Sequence, residues 1–429
     1  MRDYLAFPPV RGIRGSVRVP SSKSATNRAL ILAALESEPV ELVRPLDSDD
    51  TRALARCLEA MGGAIIPSER GWTVRGPLGR GGEREVLLDA GSSGTAARFL
   101  AALAAAVPGS YRLTGSPRLQ ERPMSELVTA LRSAGASVRT SGREGFLPVE
   151  IEGGTLRAAT IPVEAGRSSQ FVSALLLAAV AVEGGLSVRP RGPIVSAPYV
   201  DTTLDVLEAF GHRIRRDGDG TIAVERGGER ARSYTVPGDW SSAVPFFAAA
   251  GIAGGEVQVT GLVYPSRDAD ARAVDVIETM GVGIERRPDS VSAHSERRAL
   301  RPVSVSARDF PDAVPALAAL ATHAEGESRF RDVAHLRDKE SDRLGALAVL
   351  LQAAGEEAEA GEDGIIVTGP RRHASTGSPR LPTFEDHRMA MTAALLSLDS
   401  GGALIENPGC VAKSYPSFFE DLETILVRG

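Results

Sequence analysis

Only three of the 49 basic residues are lysine, at Lys23, Lys339 and Lys413; the other 46 are arginine. A coding bias toward arginine accounts for the imbalance. In such a background a lysine marks a place that needs a compact ammonium able to shift its pKa and give up a proton, which a guanidinium cannot do. Each lysine has charged company. Lys339 is followed by Glu340 and Arg343 in DVAHLRDKESDRL, where Arg337 precedes it; Lys23 stands in PSSKSATNR beside Arg28; Lys413 lies in CVAKSYP. Asp312, in DFPDAVPALA, adds a second carboxylate. Carboxylates in a field of cations stay ionised at neutral pH unless a substrate anion intervenes, and such pairs suit proton transfer. The combination points to acid–base chemistry on phosphorylated molecules without a metal.

Composition narrows the partners. The 429 residues carry a net charge of -6, with 43% apolar, 24% charged and 5% aromatic residues, an average soluble profile. There is no electrostatic reason to expect nucleic acid or a membrane, and few rings are available to stack bases. Cys57 and Cys410 are the only cysteines, so neither a disulfide framework nor a zinc ribbon is available. The start, MRDYLAFPPVRG, lacks a signal-peptide core, and the longest apolar stretch, Phe171–Val182, is far short of the ~20 residues of a membrane span. The expectation is a cytoplasmic monomer acting on small molecules.

The elements that position these residues repeat. A polar cluster followed by a small-residue apolar run recurs six times, anchored on Ser22, Ser93, Ser169, Ser242, Asp312 and His387 at spacings of 71, 76, 73, 70 and 75. A second series of amphipathic helices ends at Gly62, Gly135, Gly211, Gly281, Gly355 and Gly429, spaced 73, 76, 70, 74 and 74. Two interleaved series of one period describe one unit used six times. Short β-branched runs such as GSVRV and EVQVTG supply strands. The first series is apolar all round and belongs inside, whereas the second carries charge on one face. Six buried helices predict two domains of three units, residues 20–236 and residues 1–19 with 237–429, with two chain crossovers.

Each polar cluster stands where a buried helix begins. Helix N-termini attract phosphates and carboxylates, and Lys23, Arg28, Arg98, Arg122, Arg167 and Arg388 lie in or beside these clusters. Three such termini in each half, facing the other half, would make an anion-binding cleft.

The motifs PSSKSATNRALILAAL, GTAAR, ERPMSELVTAL, SSQFVSALL, SAPYVDTTLDVLEAFG, FPDAVPALA, KESDRL, EDHRMAM and CVAKSYPSFFEDL together resemble the enolpyruvyl transferases along the whole chain, and within them the branch that works on shikimate 3-phosphate. The resemblance implies a mixed α/β fold of two similar domains, each of three βαβαββ units (an inverse α/β barrel), with the active site in the interdomain cleft. It implies transfer of the carboxyvinyl group of phosphoenolpyruvate to the 5-hydroxyl of shikimate 3-phosphate through a tetrahedral intermediate, with release of phosphate. That step lies on the route to chorismate and aromatic amino acids. No metal or organic cofactor is implied. By resemblance, Asp312, Glu340 and Lys23 are catalytic: Asp312 accepts the proton of the attacking hydroxyl, and Glu340 protonates the methylene carbon and later takes a proton back. Shikimate 3-phosphate falls to Lys23, Ser24, Arg28, Ser168, Ser169, Gln170, Ser196, Tyr199, Asp312, His335 and Lys339. Phosphoenolpyruvate falls to Lys23, Gly94, Arg122, Gln170, Arg343, Arg388 and Lys413.

The run Ser92-Ser93-Gly94-Thr95-Ala96-Ala97-Arg98-Phe99 departs from the family pattern at Ser92, where an amide is usual, and at Phe99, where proline is usual. The branch acting on a UDP-amino sugar is the alternative, but its reactive loop cysteine has no counterpart, since Cys57 lies in the helical pattern TRALARCLEAMG. A non-catalytic phosphate-binding scaffold is disfavoured by the presence of Asp312, Glu340 and Lys23, and an RNA-end-processing enzyme by the acidic charge.

Overall fold

Residues that can accept a backbone N–H precede the apolar runs, and in a computed structural model of the chain most of these runs become helices from that point on. The structure describes residues 4–7, 10–79, 84–157, 160–225, 231–296, 300–370, 378–399 and 402–428. The chain divides into two units, Ser21–Val236 and Met1–Pro20 with Pro237–Gly429.

In Ser21–Val236 the helices are α1 (Lys23–Leu35), α2 (Asp49–Ala60), α3 (Gly94–Ala106), α4 (Pro117–Gln120), α5 (Ser125–Ser133), α6 (Ser169–Ala178) and α7 (Pro198–Ala209). The hydroxyls of Ser22, Ser93 and Ser168 cap α1, α3 and α6, accepting from Ala25, Ala96 and Gln170 N–H at 3.2, 3.3 and 3.2 Å. Such caps satisfy donors a helix start cannot pair internally. These three helices form the interior, with Leu30, Leu100 and Leu175 fully buried in one cluster. The amphipathic α2, α5 and α7 bury one face each, as their patterning requires. Gly135 follows α5 at φ 86°, a left-handed geometry that glycine enters without strain.

Three four-stranded sheets surround these helices with one pairing pattern, a parallel pair followed by two antiparallel strands. Val86–Asp89 runs parallel to Ser110–Thr114, which is followed by Val149–Glu152 and Ser137–Thr140. Thr160–Glu164, Leu186–Arg191, Ile222–Glu225 and Arg213–Arg216 repeat it. The third sheet takes its parallel edge from the far end of the unit, pairing Ser233–Thr235 with Val40–Val43.

The other unit holds α8 (Trp240–Ala253), α9 (Ala273–Met280), α10 (Val314–Ala321), α11 (Arg343–Ala353), α12 (His387–Ser397) and α13 (Phe418–Ile425). Its core is a separate cluster around α8, α10 and α12. The segment before Pro20 finds its partners here. Gly12–Arg18 lies between Gly255–Thr260, parallel, and Leu426–Val427, antiparallel, while Tyr4–Phe7 pairs with Ala403–Glu406. The sheet containing Ala403–Glu406 has three strands and breaks the four-strand pattern. The sixth outer helix does not run to the last glycine of the series: α13 stops at Ile425 and the chain continues as the strand Leu426–Val427, where pairing with Gly12–Ile13 takes over; Gly429 itself lies outside the described residues.

One helix start differs from expectation. Pro311–Ala313 forms a 3₁₀ turn before α10, closed by Val314 N–H on the Pro311 carbonyl, with no side-chain cap. Pro315 has no N–H to reach the Pro311 carbonyl four residues back, so the tighter i→i+3 bond takes over. Asp312 is therefore displayed on a 3₁₀ turn. Among the described residues no helix is long and apolar enough to cross a membrane.

Candidate active site

In the unit containing Pro237–Gly429, the carboxylates and cations singled out by their types converge on Arg343. This first residue of α11 is 1% exposed, and its guanidinium holds three carboxylates. Nη1 donates to Asp312 Oδ1 at 2.9 Å, Nη2 to Glu340 Oε2 at 2.7 Å, and Nε to Asp386 Oδ2 at 2.8 Å. Burial opposes its charge, but the three carboxylates more than offset that and raise its pKa. Lys339 Nζ lies 3.3 Å from Asp312 Oδ1, Arg388 Nη2 3.7 Å from Asp312 Oδ2, and Lys413 Nζ 3.8 Å from Glu340 Oε1. Burial favours the neutral acid for Asp312, yet Lys339, Arg343 and Arg388 overcome it and hold its carboxyl well below the ordinary range.

The carboxylates remain partly accessible, with Asp312 19% and Glu340 14% exposed. His335, in the 3₁₀ turn Ala334–Asp338, is pushed down to about 3, first by burial and then by the Lys339 charge. It is neutral at pH 7 and can donate or accept one hydrogen bond per ring nitrogen.

In Ser21–Val236 the remaining sequence-derived residues gather at the starts of α1, α3, α6 and α7. Lys23 pairs with buried Asp50 at 3.3 Å. Arg28 is buried and spends its donors inside the unit, on Thr203 Oγ1 at 2.7 Å, the Ser24 carbonyl at 2.8 Å, the Tyr199 carbonyl at 2.9 Å and Ser173 Oγ at 3.4 Å. It thus fixes the backbone at Ser24 and Tyr199. Gly94 opens α3 where a Cβ would stand 2.4 Å from Arg98 Nη1 and 2.5 Å from Arg122 Nη1, so a larger residue there would make these guanidiniums shift from their present places at this terminus. Gln170 Nε2 donates to Thr95 Oγ1 at 3.1 Å, tying the start of α6 to that of α3. Ser168 and Ser169 open α6, and Ser196 precedes α7 at φ 55°, a left-handed geometry that is uncommon for serine.

Two of the arginines named from the sequence have acidic neighbours. Arg337 pairs with Asp342 at 2.7 Å, and Arg167 is half-exposed beside Glu126 at 3.4 Å. Reading by residue type also missed several groups. Asp386 caps α12 by accepting Arg388 N–H at 2.9 Å while it holds Arg343. Asp50 pairs with Lys23, and Ser241 accepts from Arg388. A cap signal marks Asp386 in the sequence, but nothing local marks its second task. No group of three or more His, Cys, Asp or Glu among the described residues is placed to hold a metal ion.

The family model described as EPSP synthase (3-phosphoshikimate 1-carboxyvinyltransferase) matches residues 8–422. The chain belongs to the EPSP synthase family. A 3-phosphoshikimate 1-carboxyvinyltransferase of Sulfurovum sp. (strain NBC37-1) is 39% identical over 99% of both chains, and that of Vibrio atlanticus (strain LGP32) is 38% identical over 99% of both. Among solved structures, an EPSP synthase from Acinetobacter baumannii superposes with a TM-score of 0.81 at 28% identity, covering 100% of this chain and 99% of the other. The enolpyruvyl transferase NikO from Streptomyces tendae, at 23% identity and a TM-score of 0.77 over 98% of this chain and 97% of its own, shares the fold. The mixed α/β, two-unit architecture is that of EPSP synthases and enolpyruvyl transferases.

Proposed function

We propose that this EPSP synthase family member transfers the carboxyvinyl group of phosphoenolpyruvate to the 5-hydroxyl of shikimate 3-phosphate, with Asp312 and Glu340 moving the protons. The observation that supports this most is the joint hold of Arg343 on both carboxylates, with Lys339, Arg388 and Lys413 within 3.8 Å of one or the other. The substrates are anions, and the cluster offers cations for them. Arg343, Arg388 and Lys413, with Lys23, Gly94, Arg122 and Gln170, serve phosphoenolpyruvate. Lys23, Ser24, Arg28, Ser168, Ser169, Gln170, Ser196, Tyr199, Asp312, His335 and Lys339 serve shikimate 3-phosphate.

The electrostatics give the substrates a part in switching on the base. Surrounded by cations, Asp312 is a weak proton acceptor. When the phosphate and carboxylate of phosphoenolpyruvate engage Arg343, Arg388 and Lys413, they offset that positive field, and the proton affinity of Asp312 rises. Asp312 then takes the 5-hydroxyl proton as that oxygen bonds to C2 of phosphoenolpyruvate. Glu340, protonated from solvent as the substrate anions offset the same cations, delivers that proton to C3, which becomes a methyl group in the tetrahedral intermediate. In the second half Glu340 takes a proton back from the methyl, the C2–O bond to phosphate breaks, and the proton that Asp312 accepted passes to the departing phosphate, whose remaining charge is met by Lys23. The chemistry needs no metal, and the working species is a cytoplasmic monomer.

The test is phosphate release from phosphoenolpyruvate, with shikimate 3-phosphate or with a UDP-amino sugar as acceptor. Turnover with the first alone is expected; turnover with the second alone would replace this function by the neighbouring branch. Glu340→Gln keeps size and polarity but cannot shuttle the proton, so turnover should fall roughly 10²–10⁴-fold with shikimate 3-phosphate binding retained.

A further inference from the structure

Helix α8 carries a proline in its interior, Pro245, along a run in which every residue from Trp240 to Ala253 is buried. Proline has no N–H, so the i→i−4 bond that would close on the carbonyl of Ser241 cannot form. A buried carbonyl released in this way needs another donor. It receives one from the neighbouring helix: Arg388 Nη1, one residue into α12, donates to the Ser241 carbonyl at 2.7 Å. The same guanidinium donates through Nη2 to the Ser241 hydroxyl, which in turn donates to Asp239, the cap of α8. The far side of Nη2 lies 3.7 Å from Asp312. Arg388 is therefore held at one residue of α8 by two acceptors, one of which exists because of a proline four positions further on.

We infer that Pro245 is a positioning residue for Arg388: by denying the Ser241 carbonyl its i→i−4 partner within α8, it sets the guanidinium that receives phosphoenolpyruvate. This rests on the assignment of Arg388 to that substrate. The internal repeat supports a purpose beyond packing. The tripeptide Ala-Val-Pro occurs at Ala243–Pro245 and again at Ala313–Pro315, in register with the anchors Ser242 and Asp312. At the second site the proline likewise removes a backbone bond and leaves the preceding turn to present Asp312. In both units of the repeat a proline loosens the first turns of a buried helix, and the group so displayed reaches the Arg388–Asp312 pair.

Pro245→Ala tests this, because it moves stability and binding in opposite directions. Alanine restores the N–H and removes the ring clash, so α8 becomes more regular and the melting temperature should rise by about 5 °C. The new N–H competes with Arg388 for the Ser241 carbonyl, and KM for phosphoenolpyruvate should rise about ten-fold. KM for shikimate 3-phosphate should stay within two-fold. A purely structural proline would give the stability gain with both KM values unchanged, and that result overturns the inference. If Pro245→Ala does not fold, Pro245→Val restores the same N–H with a side chain closer in volume to the ring. A selective rise in KM for phosphoenolpyruvate supports the inference in that variant, and wild-type KM values overturn it. Wild-type protein is assayed first with both substrates. Absence of turnover there rejects the proposed function itself, whereas normal wild-type turnover with unaltered variants rejects only the role of Pro245.

Discussion

His335→Gln should make the unit containing Pro237–Gly429 more resistant to acid. In the folded protein the imidazole is pushed from 6.5 down to about 3, chiefly by burial and then by the Lys339 charge. Above pH 6.5 neither state binds the proton, and His335 has no effect on stability. Between 6.5 and 3 the unfolded chain binds a proton that the folded chain refuses, so stability falls as pH falls. At pH 5 the unfolded side chain is protonated about thirty times over, and the penalty is about 2 kcal/mol. Asp312, with its folded pKa depressed, begins to lose its stabilising charge only near its unfolded value of about 3.9, so of the two it is His335 that acts between pH 7 and 5. Glutamine keeps polarity and similar size without titrating.

The assay can be confined to the right unit. The only two tryptophans are Trp72 and Trp240, one in each unit, so a Trp72→Phe background leaves Trp240 as sole reporter. Urea unfolding at pH 7.5 and 5.0 should show His335→Gln losing about 2 kcal/mol less than its parent. Lys339→Met should recover part of the same difference, since burial is the larger cause. Equal losses in parent and His335→Gln would refute the reasoning.

Asp386→Asn keeps an oxygen to cap α12 but strips the charge facing Arg343, and breaking a buried pair by removing one partner costs roughly 3–5 kcal/mol. Calorimetry should show the transition of that unit lowered by about 6–12 °C or more, with Asp386→Ala a further ~1 kcal/mol worse for the lost cap; a wild-type transition in Asp386→Asn would show that Arg343 does not depend on it. Lys23→Arg places a bulkier cation that cannot release a proton against Asp50, and steady-state kinetics should show turnover reduced by roughly 10²-fold. Lys413→Arg should show a marked loss and Lys339→Arg chiefly a binding defect, whereas near-normal kinetics in all three would return the lysines to coding bias.

The repeated plan was legible because it is written twice, in the all-apolar helix runs and in the glycines that follow five of the six outer helices; the sixth, α13, gives way to a strand instead. Partner choice among distant strands was not. Nothing in Tyr4–Phe7 or Gly12–Arg18 says that they join different sheets, because short strands carry alternation but no address. The charged cluster was legible by residue type at Asp312, Lys339, Glu340, Arg343, Arg388 and Lys413, which the fold brings together. Asp386 shows the limit: a cap can be read locally, but its contact with Arg343, 43 residues away, depends on how α11 and α12 pack. The 3₁₀ turn at Pro311–Ala313 was missed for a simpler reason, since the proline that forces it comes after the residue it displays.

The interrupted order of the second unit has a consequence for synthesis. Gly12–Arg18 is made before any of the residues it will pair with, and its partners at Gly255–Thr260 and Leu426–Val427 come much later. Ser21–Val236 is continuous, and its closing strand, Ser233–Thr235, is the last piece it needs. At about 5–20 residues per second, Gly12–Arg18 waits some 20–80 s for Leu426–Val427 to emerge. During that time an exposed edge of backbone donors and acceptors is tethered beside a domain that can already have folded. Residues 12–18 are thus among the last to find their place, and a change that disturbs their pairing would fall on the unit that carries Asp312 and Glu340.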